Sequence, residues 1–265
     1  MLSGLSGATR IHLIVGDPVA QTKSPAGLTA EFSRRGVDAV CIPMQVAADD
    51  IDAFFAVAKR VQNVDGIVVT VPHKLAATCH CDVLSERSRV LAAVNAMRRA
   101  PDGRWSGDMT DGVALVAALR AAGCAPQGRR ALVVGAGGAG SAVALALAEA
   151  GARVAVHDVD LIRRDDLLGR LAAWKAAAGS ADPAGCDLVV NATPLGMALG
   201  DPLPVDVPRL GSGVVAADLV TRPAVTPFLL AARERGAQIV TGADMFVPQA
   251  GILADFLLAG RPAVG

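Results

Sequence analysis

Residues 131–160 read ALVVGAGGAG SAVALALAEA GARVAVHDVD, and this stretch decides the fold. Leu132 to Val134 is an apolar, β-branched run of the kind that forms a buried strand. It stops at Gly135-Ala136-Gly137-Gly138-Ala139-Gly140. A helical run from Ser141 to Ala150 follows, and Gly151 stands where a C′ glycine closes a helix. A second strand, Val154 to Val156, leads to His157 and Asp158. The order is βαβ, with G-x-G-x-x-G at the first turn and an acid about 20 residues on. Gly135 permits a tight turn, Gly137 lets the backbone approach a pyrophosphate, and Gly140 lets the helix lie close on the strand. The free N–H groups at the helix start then face phosphate oxygens. Asp158 stands where a carboxylate accepts from a ribose 2′-OH and repels a 2′-phosphate. NAD is therefore favoured, with NADP as the alternative. Arg163 and Arg164 lie just beyond the strand; they suit either a 2′-phosphate or a solvated helix face.

The rest of the composition agrees with a buried parallel sheet. The 265 residues leave room for two domains. Apolar residues make up 52% and tyrosine is absent, so alanine, valine and leucine must do the packing. A formal net charge of zero argues against nucleic-acid or anionic-membrane partners. The five scattered cysteines suit a reduced, cytoplasmic setting. Cys79-His80-Cys81 invites a metal, but neighbouring residues on one short segment rarely supply tetrahedral geometry, and no second Cys/His pair stands elsewhere; no metal is expected. MLSGLSGATR lacks the apolar core of a signal peptide. Residues 131–148 carry no charge, yet their four glycines and strand-turn-helix pattern argue against a membrane span.

Upstream of the glycine turn the chain alternates on its own. Strands are expected over 11–15, 39–46, 64–71 and 94–98, with a further extended piece at 104–105. Helices are expected over 24–35, 49–61 and 84–92. Ser24 as N-cap and Pro25 at the first helical position mark the first of them. This layout implies a small α/β domain with a largely parallel sheet. A helix over 111–122 leads into the second domain, whose later strands are 188–190, 214–217 and 238–240; a final helix spans 245–258. The expected fold is thus α/β: an N-terminal α/β substrate domain (1–110 plus 245–265) and a Rossmann-type, doubly wound nucleotide-binding domain (111–244), with a cleft between them. Polar residues at the carboxyl ends of strands are the ones to examine.

Seven segments at such places carry a resemblance. GDPVAQTKSP (16–25), VVTVPHK (68–74), AVNAM (93–97) and GDMTDG (107–112) precede VVGAGGAG; VVNATPLGM (189–197), DLVTRPAVTPFL (218–229) and TGADMFVPQA (241–250) follow it. In this order, over nearly the whole chain, they resemble the shikimate/quinate dehydrogenase family. The resemblance implies hydride transfer between a nicotinamide and a ring hydroxyl of a cyclic hydroxy acid. It implies Lys74 and Asp111 as the catalytic pair. Alcohol oxidation needs a base for the hydroxyl proton and a cation near the developing alkoxide. Thr22 and Ser24 match positions that hold the substrate carboxylate. Thr70, Asn95 and Gln249 match positions that meet the ring. On the cofactor side, Ala136, Gly137, Gly138 and Ala139 would line the pyrophosphate, Asn191, Thr193 and Pro194 would border the nicotinamide ribose, and Gly242 and Met245 would lie beside the nicotinamide.

Three positions depart from the family pattern. Thr22 stands where serine is usual. Thr221 replaces the tyrosine of the family's DMxY segment, losing a phenol and opening space, and Met109 replaces the asparagine of GDNTDG. The missing tyrosine keeps alternatives open: a related dehydrogenase for another cyclic acid, or a ligand-binding protein with little turnover. Monomer and homodimer both fit.

Overall fold

A computed structural model describes residues 5–20 and 22–260. Residues 1–4, Gln21 of the GDPVAQTKSP segment and residues 261–265 lie outside the described residues. Two compact units are present. One holds the residues up to Thr110 together with those from Ala250 onward, and the other is Asp111–Gln249. The division within the last helix thus falls at 249/250 rather than at the expected 244/245.

The first unit runs β1 (Arg10–Gly16), α1 (Ser24–Arg34), β2 (Ala39–Gln45), α2 (Ile51–Ala58), β3 (Val64–Val69), β4 (Val83–Leu84), α3 (Glu86–Leu91), β5 (Ala96–Arg99) and β6 (Trp105–Asp108). Its six-stranded sheet has the order β2-β1-β3-β5-β6-β4. β1 lies parallel to β2 and β3. The sheet is largely parallel, as expected: β4 pairs parallel with β6, and β5 alone among the described strands of this sheet is reversed, pairing antiparallel with both β3 and β6. The cause is the link between β5 and β6. Ala100 N donates to Arg104 O at 2.7 Å, closing a hairpin far too short for a parallel crossover. Phe55, Ile67, Met97 and Trp105 fill one side of the sheet, and Ile14, Leu28 and Phe32 the other.

The second unit runs α4 (Asp111–Ala121), β7 (Arg130–Val134), α5 (Gly138–Glu149), β8 (Arg153–His157), α6 (Leu161–Arg170), β9 (Ala177–Ala178), β10 (Leu188–Asn191), β11 (Val215–Asp218), α7 (Pro227–Glu234), β12 (Gln238–Val240) and α8 (Gly242–Leu258). Its sheet, β12-β11-β10-β7-β8-β9, is parallel throughout. The chain leaves β7 for β8 on one side and later returns to β10 on the other, the doubly wound pattern with its switch point at the end of β7.

Two helices were not expected from sequence. α6 buries only Leu167, and half of its ten residues are charged, so it lacks a long apolar run. α7 begins at Pro227 behind a Thr226 cap. α8 starts earlier than expected because Thr241 and Asp244 form a capping box. The Asp244 N–H donates to Thr241 Oγ1 at 3.2 Å, and the Thr241 N–H donates back to Asp244 Oδ2 at 2.8 Å.

Candidate active site

In the first unit the expected substrate residues gather where β1 and β3 end. The Thr70 N–H donates to Val15 O at 2.9 Å, and the Asp17 N–H to Val71 O at 3.1 Å. A side chain on Gly16 would collide with Thr70 Cγ2, so the two loop starts touch. Lys74 follows in the next turn and is half-buried. Its carbonyl accepts from the Val94 N–H at 2.9 Å, which ties it to the segment carrying Asn95. Thr22 lies in the loop before α1, with its hydroxyl donating to Val19 O at 2.8 Å. Ser24 does not cap α1 as expected. The N-cap is Lys23, without a side-chain capping bond, and Ser24 is the first helical residue.

Asn95 is buried and bound to Thr110. Its Oδ1 accepts from the Thr110 N–H at 2.8 Å, and its Nδ2 donates to Thr110 Oγ1 at 3.1 Å. The residue just before Asp111 is therefore held by a side-chain amide. Asp108 steadies the same segment. Burial alone would push its carboxyl up. The Arg87 guanidinium at 2.7 Å, the Ser85 hydroxyl at 2.5 Å and the Met109 N–H at 2.8 Å outweigh that and hold it below the usual carboxylate range. A lowered folded-state value means that this stabilisation exists above the unfolded pKa and fades as pH falls through the folded one. Arg87→Met should accordingly lower stability at neutral pH by about 2 kcal/mol, since it strips a buried carboxylate of its cation. Urea midpoints for the two proteins should converge well below pH 3.8, the ordinary value from which Asp108 is shifted. An equal gap at both pH values would show that the pair is not the cause.

The second unit holds the glycine turn. Gly135 adopts φ +106°, a region open to glycine, and a Cβ on Gly140 would stand 1.9 Å from Gly135 O. Both therefore do what the motif demands. Nothing lies within 4 Å of where a Cβ would sit on Gly137 or Gly138, and Gly138 and Ala139 are exposed at the start of α5. An open backbone at a helix N-terminus fits a pyrophosphate.

Asp158 differs from the simple expectation. It is buried, its Oδ2 accepts from the Ala136 N–H at 2.6 Å, and its Oδ1 accepts from the Asp160 N–H at 2.8 Å. The acid thus first ties the end of β8 to the glycine turn. Asp160 stands beside it as the N-cap of α6. Arg163 reaches both carboxylates, at 3.8 Å and 3.2 Å, and Arg164 pairs with Asp165.

The loops after β10 and β11 share one buried network, and its centre was not singled out from sequence. Asp218 accepts from Asn191 Nδ2 at 3.0 Å, from the Val220 N–H at 2.9 Å and from Thr226 Oγ1 at 2.6 Å. Burial, opposed by these three bonds, pushes its carboxyl above the ordinary range. Asn191 Oδ1 in turn accepts from the Thr193 N–H and hydroxyl at 3.1 and 2.6 Å. A side chain on Gly242 would meet Val220 O, Leu219 O and Thr221 Cγ2, so the start of α8 rests on the same loop. Pro194 is exposed, and Met245 and Thr221 are half-buried. An aspartate closing a strand ahead of a loop was the available signal for Asp218. At the start of α4, the Asp111 carboxylate accepts from Gln249 Nε2 at 3.3 Å, across 138 positions of sequence. The helix N-terminus favours a negative charge there.

Cys79-His80-Cys81 is engaged elsewhere. His80 Nε2 pairs with Asp52 at 2.8 Å, and burial pushes the Cys81 thiol up to about 12. Among the described residues no group of three potential ligands converges, and no helix is long and apolar enough to cross a membrane.

Comparisons with known proteins agree with this layout. The family profile "Shikimate dehydrogenase substrate binding domain" matches residues 14–97. The shikimate dehydrogenase (NADP(+)) of Acidiphilium cryptum is 40% identical over 252 residues, covering 93% of this chain and 89% of that protein. Shikimate 5-dehydrogenase from Thermus thermophilus, solved with NADP(H) and shikimate, superposes with a TM-score of 0.85 at 30% identity, covering 97% of this chain and 95% of that one. Quinate dehydrogenase from Corynebacterium glutamicum, solved with NAD, gives 0.83 at 27% identity, covering 95% and 94%. With the glycine turn, the TVPHK and GDMTDG segments and this coverage together, the chain belongs to the shikimate/quinate dehydrogenase family.

Proposed function

We propose that the protein interconverts a ring hydroxyl of shikimate, quinate or a close cyclic hydroxy acid with the corresponding ketone, with Lys74 and Asp111 exchanging the hydroxyl proton. The observation that carries this reading is the Asp111–Gln249 hydrogen bond. It joins a residue assigned to proton transfer with one assigned to substrate recognition. Lys74 stabilises the alkoxide that develops as hydride leaves carbon, and Asp111 accepts or orients the hydroxyl proton. Thr22 and Ser24 bind the carboxylate, and Thr70, Asn95, Thr221 and Gln249 fix the ring. A nicotinamide, when bound, supplies the hydride acceptor. Gly135 to Gly140 would hold its pyrophosphate, with Asn191, Thr193, Pro194, Gly242 and Met245 on the nicotinamide side. A matrix of initial rates, cyclic acid by nucleotide, tests the assignment; absence of turnover with every cyclic hydroxy acid would sink it.

Thr221 favours a second substrate within the same chemistry. The small Thr221 side chain leaves space where a phenol is usual, so quinate or a bulkier relative competes with shikimate as the best substrate. The free thiols of all five cysteines suit a reducing cytoplasm.

NAD is the cofactor we favour, although the Acidiphilium relative is named for NADP(+). Two carboxylates, Asp158 and Asp160, stand at the end of β8 and already claim Arg163. Val159 between them is 92% exposed and offers no charge to a 2′-phosphate. Asp160→Asn should release Arg163 and remove one repulsive charge, moving the NAD/NADP ratio of kcat/KM toward NADP by about tenfold, or 1.4 kcal/mol. An unchanged ratio would remove Asp160 from the choice of cofactor.

A further inference from the structure

Lys74 sits on a short turn that gives the core little to hold. Over residues 71–76 the side chains of Val71, Pro72 and Leu75 are exposed, and those of Lys74 and Ala76 are half-buried. His73 is the exception, with 2% of its surface exposed. A turn with so few buried side chains opens readily unless something pins it. The pin is an imidazole. His73 Nε2 lies 2.8 Å from Val46 O. A carbonyl oxygen only accepts, so Nε2 carries the hydrogen and donates it.

The position of Val46 gives that bond its reach. Val46 stands just past β2, and its own N–H donates to Gly16 O at 3.2 Å. Gly16 ends β1 and opens the segment that carries Thr22 and Ser24. One residue therefore bridges the turn bearing Lys74 to the loop assigned to the substrate carboxylate. The backbone of His73 is fixed as well. Its N–H donates to Thr70 O at 3.0 Å, and its carbonyl accepts from the Ala77 N–H at 3.0 Å. These main-chain bonds set the curvature of the turn, and the imidazole sets where the turn lies against the end of β2. An apolar ring could fill the same space, but it would take this donor away from Val46 O.

We propose that His73 is a positioning residue: its bond to Val46 O sets where the Lys74 ammonium meets a substrate bound by Thr22 and Ser24. The inference rests on Lys74 acting in proton transfer, as proposed above. It makes kcat sensitive to a bond between two groups assigned to neither substrate nor nucleotide. A misplacement of about 1 Å at the reacting groups costs as much as 10²-fold in rate.

His73→Phe keeps a buried ring and removes the donor. It should lower kcat about ten- to a hundredfold, with nucleotide KM near the wild-type value because the glycine turn lies in the other unit. His73→Gln, whose amide nitrogen has a similar reach, should recover most of the loss. Where His73→Phe fails to fold by thermal unfolding, His73→Asn, whose amide is too short for Val46 O, takes its place with the same expectations. The decisive measurement is a cycle with Lys74→Ala. A residue that acts through Lys74 adds nothing once the ammonium is gone, so kcat of the double variant should match that of Lys74→Ala within about twofold. A folded His73 variant without the donor that keeps wild-type kcat overturns the inference. So does a loss that glutamine fails to recover. A loss that persists in full in the Lys74→Ala background also overturns it, while leaving the role of Lys74 standing. Wild-type kcat in Lys74→Ala itself removes the functional reading and this inference together.

Discussion

Lys74→Ala is expected to lower kcat by roughly 10²–10⁴-fold, the range for losing a positioned acid–base group, while leaving nucleotide affinity near that of the wild type. The separation follows from where Lys74 sits. It belongs to the first unit, at the end of the TVPHK turn, and its backbone is held by Val94. The glycine turn and the residues proposed beside the nicotinamide all belong to the second unit. Removing the ammonium should therefore leave the nucleotide's contacts intact and take away only the charge proposed to meet the developing alkoxide. Stopped-flow or steady-state rates at saturating substrate give kcat, and fluorescence titration with reduced nucleotide gives binding. A variant that keeps wild-type kcat ends the assignment of Lys74. One that loses nucleotide binding too would show that the side chain is structural.

The second large effect is expected at Asp218, which nothing in the reaction chemistry itself points to. Three donors converge on its carboxylate: Asn191 Nδ2, the Val220 N–H and Thr226 Oγ1. Asp218→Asn replaces one acceptor oxygen with an NH₂ group facing donors. Each buried donor left unmatched costs roughly 1–3 kcal/mol, so the loops after β10 and β11 should rearrange or the second unit should lose stability. Asn191, Thr193 and Thr221 ride on those loops. The expected result is a rise of about tenfold or more in KM for the nucleotide, alongside a lowered urea midpoint. Thr226→Val should show a milder form of both, and Thr226→Ser, which keeps the hydroxyl, should restore nucleotide KM. Failure of the serine variant to do so would separate the loops' positions from this bond.

Much of the second unit was legible because its physics is local. A strand, a glycine turn, a helix and an acid in sequence order need only neighbours to act, and Gly135 and Gly140 meet the demands read from their spacing. The first unit was less legible. The antiparallel β5–β6 hairpin turned on a five-residue link and not on residue type. The role of Ser24 turned on a cap that falls one residue earlier, at Lys23.

Asp158 shows the same division at one position. Its place at the end of β8 was plain in the sequence, but the use of its oxygens was not. Two backbone N–H groups, one of them 22 residues upstream, claim them first. Asp218 closes β11 without a sequence mark of its own, because an acid's importance depends on which donors the fold aims at it.

The sequence by itself determined the order of elements, the nucleotide-binding turn and the family of polar residues at strand ends. Hydrophobic periodicity, glycine conformations and helix capping act over a few residues and leave their mark in the string. Only the tertiary structure decided which acids hold loops and which face solvent, how Gln249 meets Asp111, and that His73 pins the Lys74 turn to Val46. Those outcomes depend on burial and on hydrogen-bond partners brought from distant positions, and no local pattern records which donors will arrive.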